Sequence, residues 1–362
     1  MMRIRWGIFG TGSISSKFVA ALSRVDGAHV EWVASRTIDS ASRFASAHGI
    51  PRFIAPYVEA ARNASVDVVY IATPPSEHFR HALMCIEAGL SVLIEKPMAT
   101  CARDAQAIAE AAAKRSVFAM EGLWTRFLPA SQEFKAKVMD GDVGGIRLIR
   151  GSFGSSQRPD PRNNLYSRAL GGGALTHLGS YPLSWGQWLF GQPVRISADG
   201  NFGESEVVED ALITLRYPGN VLGSFAVSLR SWAPDDLHVM GTDGMLSLKG
   251  TIVRPHGWIW HHEAPLGPQA GAGAIGRAAR LRQNHWLHQL AQRVNRNGRA
   301  PASQASRFYS GNGYEHEVLE VHACMKRGAT ESSVMSLNES IAIASTSDAV
   351  LDCMYKQLKR ES

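Results

Sequence analysis

Gly10 and Gly12, one residue apart in Gly7-Ile8-Phe9-Gly10-Thr11-Gly12-Ser13-Ile14-Ser15, have the spacing that lets bare backbone hold a diphosphate. The first glycine permits a tight turn and the second allows close approach of the main chain. The ligand's charge would then meet the N-terminus of a helix opened by Thr11, Gly12, Ser13 and Ile14. Ser15 stands where a full dinucleotide fingerprint has its third glycine. Further on, Ser35-Arg36-Thr37 closes the next β-branched run, with no acid before Asp39. A carboxylate there would bind a ribose 2′-hydroxyl, whereas a guanidinium pairs bidentately with a 2′-phosphate. The expected cofactor is NADP ahead of NAD, and a solvated surface role is the alternative for Arg36.

These residues need strands and helices to position them. Ile4 to Phe9, His29 to Ser35, Val66 to Ala72 and Ser91 to Glu95 read as short apolar strands. Helical patterns lie between them, with Ile14, Phe18 and Leu22 on one face and Phe79, Leu83 and Ile86 on another. Alternation of this kind implies a parallel sheet covered on both faces. After about Leu123 the pattern changes to longer alternating runs: Ile146 to Phe153, Ala211 to Tyr217, Val221 to Leu229 and Met245 to Lys249. Turns at Pro218-Gly219-Asn220 and Asp243-Gly244 argue for antiparallel pairing there. Helices are expected around Tyr314 to Arg327 and Glu339 to Leu358.

A chain of 362 residues is long for a single core, and two domains are expected. With 45% hydrophobic and 19% charged residues it reads as an ordinary globular protein. The N-terminus lacks the features of a signal peptide, so the expected location is the cytoplasm. Ala169 to Val194 is free of charge but contains three consecutive glycines, Pro182, His177 and Gln187, which suits a buried segment beside a ligand better than a membrane span. Cys85, Cys101, Cys324 and Cys353 are far apart, with neither metal nor disulfide spacing. His256, His261 and His262 surround Trp258-Ile259-Trp260, and His285 and His288 are three apart, but no carboxylate or cysteine lies near the latter pair, and no metal is expected. Part of the net charge of +6 comes from seven arginines between Glu263 and Glu315, where there is no acid. Interleaved apolar residues in 276–299 suggest an amphipathic helix with a solvated face, or a site for an anionic partner, rather than a nucleic-acid surface.

Ala72-Thr73-Pro74-Pro75-Ser76-Glu77-His78 follows one strand and Glu95-Lys96-Pro97 the next. With Gly171-Gly172-Gly173-Ala174-Leu175 and the segment from Gly313-Tyr314 to Glu331-Ser332, the chain resembles the glucose-fructose oxidoreductase/inositol dehydrogenase (Gfo/Idh/MocA) family over nearly its whole length. Glu121-Gly122-Leu123-Trp124-Thr125-Arg126-Phe127-Leu128-Pro129 is similar in particular to the branch of dimeric dihydrodiol dehydrogenases and NADP-linked xylose dehydrogenases. The resemblance implies an α/β fold with an N-terminal Rossmann domain, taken here as residues 1–122, and a C-terminal α+β domain, residues 123–362. The latter would carry a large, mostly antiparallel open sheet whose outer face forms a homodimer or higher homo-oligomer. It further implies that Thr73, Pro74 and His78, with Glu95 and Pro97, shape the cofactor pocket, that Lys96 reaches the substrate hydroxyl, and that Trp124, Arg126 and Phe127 line the substrate site. Core packing is the alternative for Trp124 and Phe127.

The family's Gly-Gly-Gly-x-Leu-x-Asp-x-Gly-x-His/Tyr reads here with His177 in place of the aspartate and Tyr181 at the acid-base position. That departure weakens any transfer of substrate identity. The activity implied is NAD(P)-dependent dehydrogenation or reduction at a hydroxyl-bearing carbon of a sugar, polyol or vicinal diol, with Lys96 and Tyr181 as proton relay. A phenol titrates near 10 when unperturbed, and an ammonium beside it would stabilise the phenolate. In a helix, His177 and Tyr181 would share a face, so His177 is either a second relay or the base itself. The competing classes are a glycoside hydrolase that oxidises its substrate transiently on bound nicotinamide, separable by net cofactor turnover, and a non-enzymatic cofactor sensor. The Arg36 assignment predicts that Arg36→Ala lowers the NADP/NAD affinity ratio by about one to two decades, the value of a charged hydrogen-bonded pair. An unchanged ratio in paired titrations would remove the assignment.

Overall fold

The computed structural model describes residues 3–63, 65–160, 162–262 and 303–361. Six strands, β1 (Ile4–Phe9), β2 (Ala28–Ala34), β3 (Arg52–Ile54), β4 (Val68–Ile71), β5 (Ser91–Glu95) and β6 (Ala119–Gly122), pair in parallel. Their order is β3-β2-β1-β4-β5-β6. The intervening helices are α1 (Ser13–Leu22), α2 (Ile38–His48), α3 (Tyr57–Ala61), α4 (Pro75–Glu87) and α5 (Ala102–Arg115). Chain direction across the sheet reverses between β1 and β4, which opens a crevice beyond their C-terminal ends, the usual ligand position in such sheets. β4 is buried at every residue, as a strand covered on both faces must be.

The chain then passes through a 3-10 turn at Trp124–Phe127 into α6 (Pro129–Met139) and β7 (Ile146–Gly154). A π-helical turn at Leu175–Gly179 leads into α7 (Ser180–Phe190). Then follow β8 (Arg195–Phe202), β9 (Val208–Arg216), β10 (Leu222–Ser228), β11 (Leu237–Gly241), β12 (Gly244–Gly250), β13 (Pro255–His262) and β14 (Ser303–Ser306). They form an eight-stranded sheet of order β14-β13-β12-β11-β7-β10-β9-β8. Every pairing in it is antiparallel except β7 with β10. One face packs on α6 and α7; on the other, Leu148 and Leu212 remain 43% and 65% exposed. The last helices, α8 (Glu315–Lys326) and α9 (Leu337–Glu361), turn back toward the first sheet. α9 packs on α5, α7 and β8 together, and Ala102 at the start of α5 donates its N–H to Asp348 of α9 at 2.8 Å.

The expected architecture is present, but β3, β6, β8, β11, β13 and β14 are strands that the pattern did not mark. β3 has only three residues, and Ala119-Met120-Glu121-Gly122 contains no β-branched side chain. β13 carries His256, His261 and His262, and the His256 ring stacks on Phe308 at 5.2 Å. Among the described residues no three metal-type ligands come together. The arginine-rich 276–299 segment, with His285 and His288, lies outside the described residues. No described helix is long and apolar enough to cross a membrane.

Gly7 in β1 faces the Trp32 indole of β2 so closely that a Cβ would lie 2.3 Å from its ring carbons. Trp32 is fully buried, so it has no room to withdraw. Gly7→Ala should therefore cost about 1 to 3 kcal/mol of stability, the usual penalty for overpacking. Urea denaturation should register this loss and its partial recovery in Gly7→Ala/Trp32→Phe. An alanine tolerated without loss would contradict the packing described.

Candidate active site

The crevice at the sheet's reversal is built for a diphosphate. Gly10 has φ +106°, and a Cβ there would sit 2.5 Å from the Ala72 carbonyl oxygen, so glycine is required both for conformation and for clearance. Gly12 is the N-cap of α1, with no side-chain cap and nothing within 4 Å of where its Cβ would be. The first N–H groups of α1, around Thr11, Ser13 and Ile14, have no acidic side chain in the first turn to compete for them. At the end of β2, Ser35 is buried beside the Tyr57 hydroxyl, and exposed Arg36 lies within electrostatic reach of Tyr57 and Glu77. This donor set fits a dinucleotide. The loop after β4 is fastened to the loop after β5 by His78, whose two ring nitrogens each lie 2.8 Å from a carbonyl oxygen, of Thr73 and of Pro97. Pro74 is the N-cap of α4 between them.

At the end of β5, Glu95 turns into the interior and Lys96 toward the second sheet. The Tyr70 hydroxyl and the Lys96 main-chain N–H both donate to the Glu95 carboxylate, the latter at 3.1 Å. Glu317 of α8 is fully buried near it and packs against Gly122, the β6 partner of Glu95, 3.5 Å from where a Cβ would stand. Burial raises the pKa of both carboxyls; Glu95 raises that of Glu317 further, and Glu121 that of Glu95. The Lys96 Nζ donates to the His177 carbonyl oxygen at 2.7 Å and lies 5.0 Å from the Tyr181 ring centroid. Burial lowers the Lys96 pKa, opposed by the charges of Glu95 and Glu121.

Lys96, His177 and Tyr181 share a cavity of about 610 Å3 with Phe153, Gln157, Leu229, Trp232 and Asp235. The π-helical turn makes this convergence possible. It follows Gly173, at φ +118°, and presents the His177 carbonyl to Lys96 while the His177 and Tyr181 side chains face the cavity. Burial and the nearby Lys96 lower the His177 pKa to about 3, so the imidazole is neutral at physiological pH. Its buried Nε2 has no protein partner. Tyr181 differs from the sequence expectation. Its phenol is raised by burial and by Glu95, a hydrogen bond from Trp124 opposes the shift, and Lys96 lies against the ring face. Tyr181 is therefore held in its protonated form.

The turn bearing Trp124, Arg126 and Phe127 lies behind Tyr181, and none of the three lines this cavity. Trp124 stacks on Tyr314 at 5.0 Å, while Phe127 belongs to the buried core. Arg126 is 2% exposed and donates to Ser184, to the Val334 carbonyl and to Glu339 at 2.9 Å; its guanidinium joins α7 to α9 and does not face the site. Sequence reasoning missed Phe153, which meets Tyr181 edge-on at 5.6 Å, and Trp232, Gln157 and Glu317. Phe153 was readable as an inward position of β7; the loop residues and the helical Glu317 carry no local signal.

Comparison with known proteins accounts for both halves of this arrangement. Residues 4–123 match the family model described as an oxidoreductase family with an NAD-binding Rossmann fold, and residues 131–247 match the GFO/IDH/MocA C-terminal domain. The chain belongs to the Gfo/Idh/MocA oxidoreductase family. It is 32% identical over 350 residues to the human (Homo sapiens) trans-1,2-dihydrobenzene-1,2-diol dehydrogenase, covering 95% of this chain and 94% of that one. Among solved structures it is similar to an aldose-aldose oxidoreductase from Caulobacter crescentus, with TM-score 0.80, 20% identity and 98% of each chain covered. A 3-ketoreductase from Actinomadura kijaniata in complex with NADP has the same TM-score at 21% identity, with 97% of this chain and 98% of that one covered. These likenesses make the chain an oxidoreductase with a Rossmann fold that binds NAD(P).

The neutral His177 has a consequence for stability. An unfolded histidine titrates near 6.5; the folded one does so at about 3. Stability is therefore full above pH ~6.5 and falls toward lower pH, because the unfolded chain takes up a proton that the folded one refuses. His177→Gln should flatten the slope of unfolding free energy between about pH 4 and 6 by about 1.4 kcal/mol per pH unit, one proton's worth. An unaltered slope in urea titrations would mean that His177 is charged in the native protein.

Proposed function

We propose that this chain is a dehydrogenase or reductase that prefers NADP and acts on a hydroxyl-bearing carbon of a sugar, polyol or vicinal diol. The observation that carries this reading is the Lys96 ammonium, anchored on the His177 carbonyl and against the Tyr181 ring, at the mouth of a cavity adjoining the dinucleotide crevice. The diol dehydrogenase relative, aligned over 95% of this chain, supports the substrate class. Arg36, exposed at the end of β2, supports the preference for a 2′-phosphate. The cofactor contributes the hydride acceptor or donor; the protein contributes orientation and proton handling.

Lys96 is the better base of the two relay groups, because burial brings its neutral amine within reach at a lower pH than in free lysine. Tyr181, kept protonated, donates a hydrogen bond to the substrate oxygen and fixes it between phenol and amine. His177 Nε2 is free to bond a second, neighbouring hydroxyl, which suits a vicinal diol or a sugar. Phe153, Leu178 and Leu229 supply an apolar wall for the carbon face of the substrate. The two-domain division at residue 122 leaves Lys96 on one domain and Tyr181 on the other, so domain arrangement sets the relay distance. The uncovered face of the large sheet, with Leu148 and Leu212 exposed, supports a homodimer through that face, and a cytoplasmic location fits the reading.

Lys96→Met and Tyr181→Phe should each lower turnover by about two decades or more, with NADP affinity within about twofold of the parent. For oxidation, kcat/KM should fall tenfold per pH unit below the Lys96 pKa, which lies under the free-lysine value of about 10.4. Full activity in both variants would end the dehydrogenase reading; an active Tyr181→Phe with an inert His177→Ala would exchange the roles of those two residues.

A further inference from the structure

The cavity that holds Lys96, His177 and Tyr181 is larger than one small diol requires. Its volume of about 610 Å3 is about twice the roughly 300 Å3 at which ligand cavities begin. The wall passes from Tyr181, 7% exposed, to Phe153, which meets the Tyr181 ring at 5.6 Å, and on through Gly154 to Gln157. Beside this outer stretch lie Asp235 and Trp232, the latter 80% exposed. The catalytic groups thus occupy the buried end, and a tryptophan stands at the open one.

Trp232 belongs to the connection between β10 and β11, which is fastened on both sides of it. Before it, the Ser228 hydroxyl donates to Asp210 and accepts the N–H groups of Arg230 and Ser231 at 3.0 and 2.7 Å. After it, Asp235 accepts the Gly154 N–H on its carboxylate at 3.1 Å and the Ile252 N–H on its carbonyl at 2.7 Å. Gly154 lies so near that a Cβ there would be 2.7 Å from the Ser231 carbonyl oxygen and 2.8 Å from the Ala233 Cβ. The end of β7, the strand that carries Phe153, therefore sets the position of both neighbours of Trp232. Single exposed apolar side chains are ordinary on a surface. An indole on the wall of the substrate cavity, carried by a fixed backbone, is different, because a ligand that covers it pays little for ordering the loop.

The groups around the indole indicate what covers it. Gln157 and Asp235, both half-buried, bring an amide and a carboxylate to the same wall, and Asp235 uses only one carboxylate oxygen on protein among the described residues. An apolar face with hydrogen-bonding groups at its edge matches a sugar ring, which presents C–H bonds on one face and hydroxyls around its rim. A phosphorylated ligand is a poor match. Lys96 is the cation on this wall and lies at the buried end, while Arg230 lines a different cavity and is paired with Glu209. We propose that the outer half of the substrate cavity binds a second sugar ring, stacked on Trp232 and hydrogen-bonded to Gln157 and Asp235. The substrate is then a disaccharide or related glycoside, oxidised on the ring that reaches Lys96. This deepens the dehydrogenase reading above and rests on it. Trp232 stands away from the reacting carbon and determines which substrate is selected.

The test uses the full chain with NADP and matched substrates, glucose with cellobiose and xylose with xylobiose, with phenyl glucoside as the aryl control. In the parent, kcat/KM for a disaccharide should exceed that for its monosaccharide by about tenfold, the value of one well-placed stacked ring. Trp232→Ala should remove most of that ratio by raising KM for the disaccharide, and Trp232→Phe should keep part of it. Gln157→Ala should lower the ratio for disaccharides and leave phenyl glucoside unaffected. Titration calorimetry of NADP-bound Lys96→Met should show the same preference for disaccharides without turnover, and its loss in Lys96→Met/Trp232→Ala. A Trp232→Ala variant whose ratio and affinities match the parent's overturns the proposal, whether or not sedimentation shows that a second copy of the chain had covered the indole. A preference for phenyl glucoside over both disaccharides, insensitive to Gln157→Ala, overturns the sugar assignment. Each of these outcomes leaves the dehydrogenase reading in place, whereas an active Lys96→Met overturns that reading itself.

Discussion

Moving an ammonium out of bulk water costs several kcal/mol even after relaxation, and partners of good geometry have to offset the cost. Lys96 meets that demand through the carbonyl of His177, the face of Tyr181 and the fields of Glu95 and Glu121. Those partners come from the first sheet and from the helical segment that precedes β8. β5 delivers the lysine and Glu95, β6 delivers Glu121, the π-helical turn delivers the carbonyl, and the first turn of α7 delivers the phenol ring. An ordinary helical turn commits its carbonyls to the next turn; the wider winding at 175–179 helps explain why the His177 carbonyl is free to accept from Lys96.

The acid groups are placed by the same economy of space. Gly122 pairs with Glu95 across β5 and β6, and the Glu317 carboxyl from α8 packs against it, 3.5 Å from where a Cβ would stand. Glu95 and Glu121 act on Lys96, Glu317 acts with Glu95, and burial raises the pKa of all three carboxyls. For Lys96, burial is the larger influence and lowers its pKa, while the charges of Glu95 and Glu121 act in the opposite sense.

Much of the cofactor half was legible in the sequence because its signals are local. The spacing of Gly10 and Gly12, the β-branched runs and the Thr73 to His78 and Glu95 to Pro97 segments each report on a few neighbouring residues. The antiparallel sheet was legible as a class, from turns such as Pro218-Gly219-Asn220, but β8, β11 and β13 alternate too weakly to be marked. The substrate side was less legible, because its chemistry is set by burial between distant segments. Arg126 looks like a site residue beside Trp124, yet its charge is taken up by Glu339, more than two hundred residues later. The Tyr181 phenol was expected to be acidified by Lys96; whether an ammonium meets the hydroxyl or the ring face depends on tertiary geometry alone.

α9 also bears on how the molecule comes into being. Its 25 residues are synthesised after both sheets, yet they supply Glu339 to Arg126 and Asp348 to the start of α5. Until that helix has left the ribosome, Arg126 is a charge in a forming core without its carboxylate. The first sheet also waits for the end of the chain: Trp6 of β1 donates to His322, Asn312 to the Lys17 carbonyl on α1, and Ala119 of β6 to the Thr330 carbonyl. The nucleotide half and the substrate half are thus closed by the same final stretch, from Asn312 onward, which makes the C-terminus a shared fastening of both.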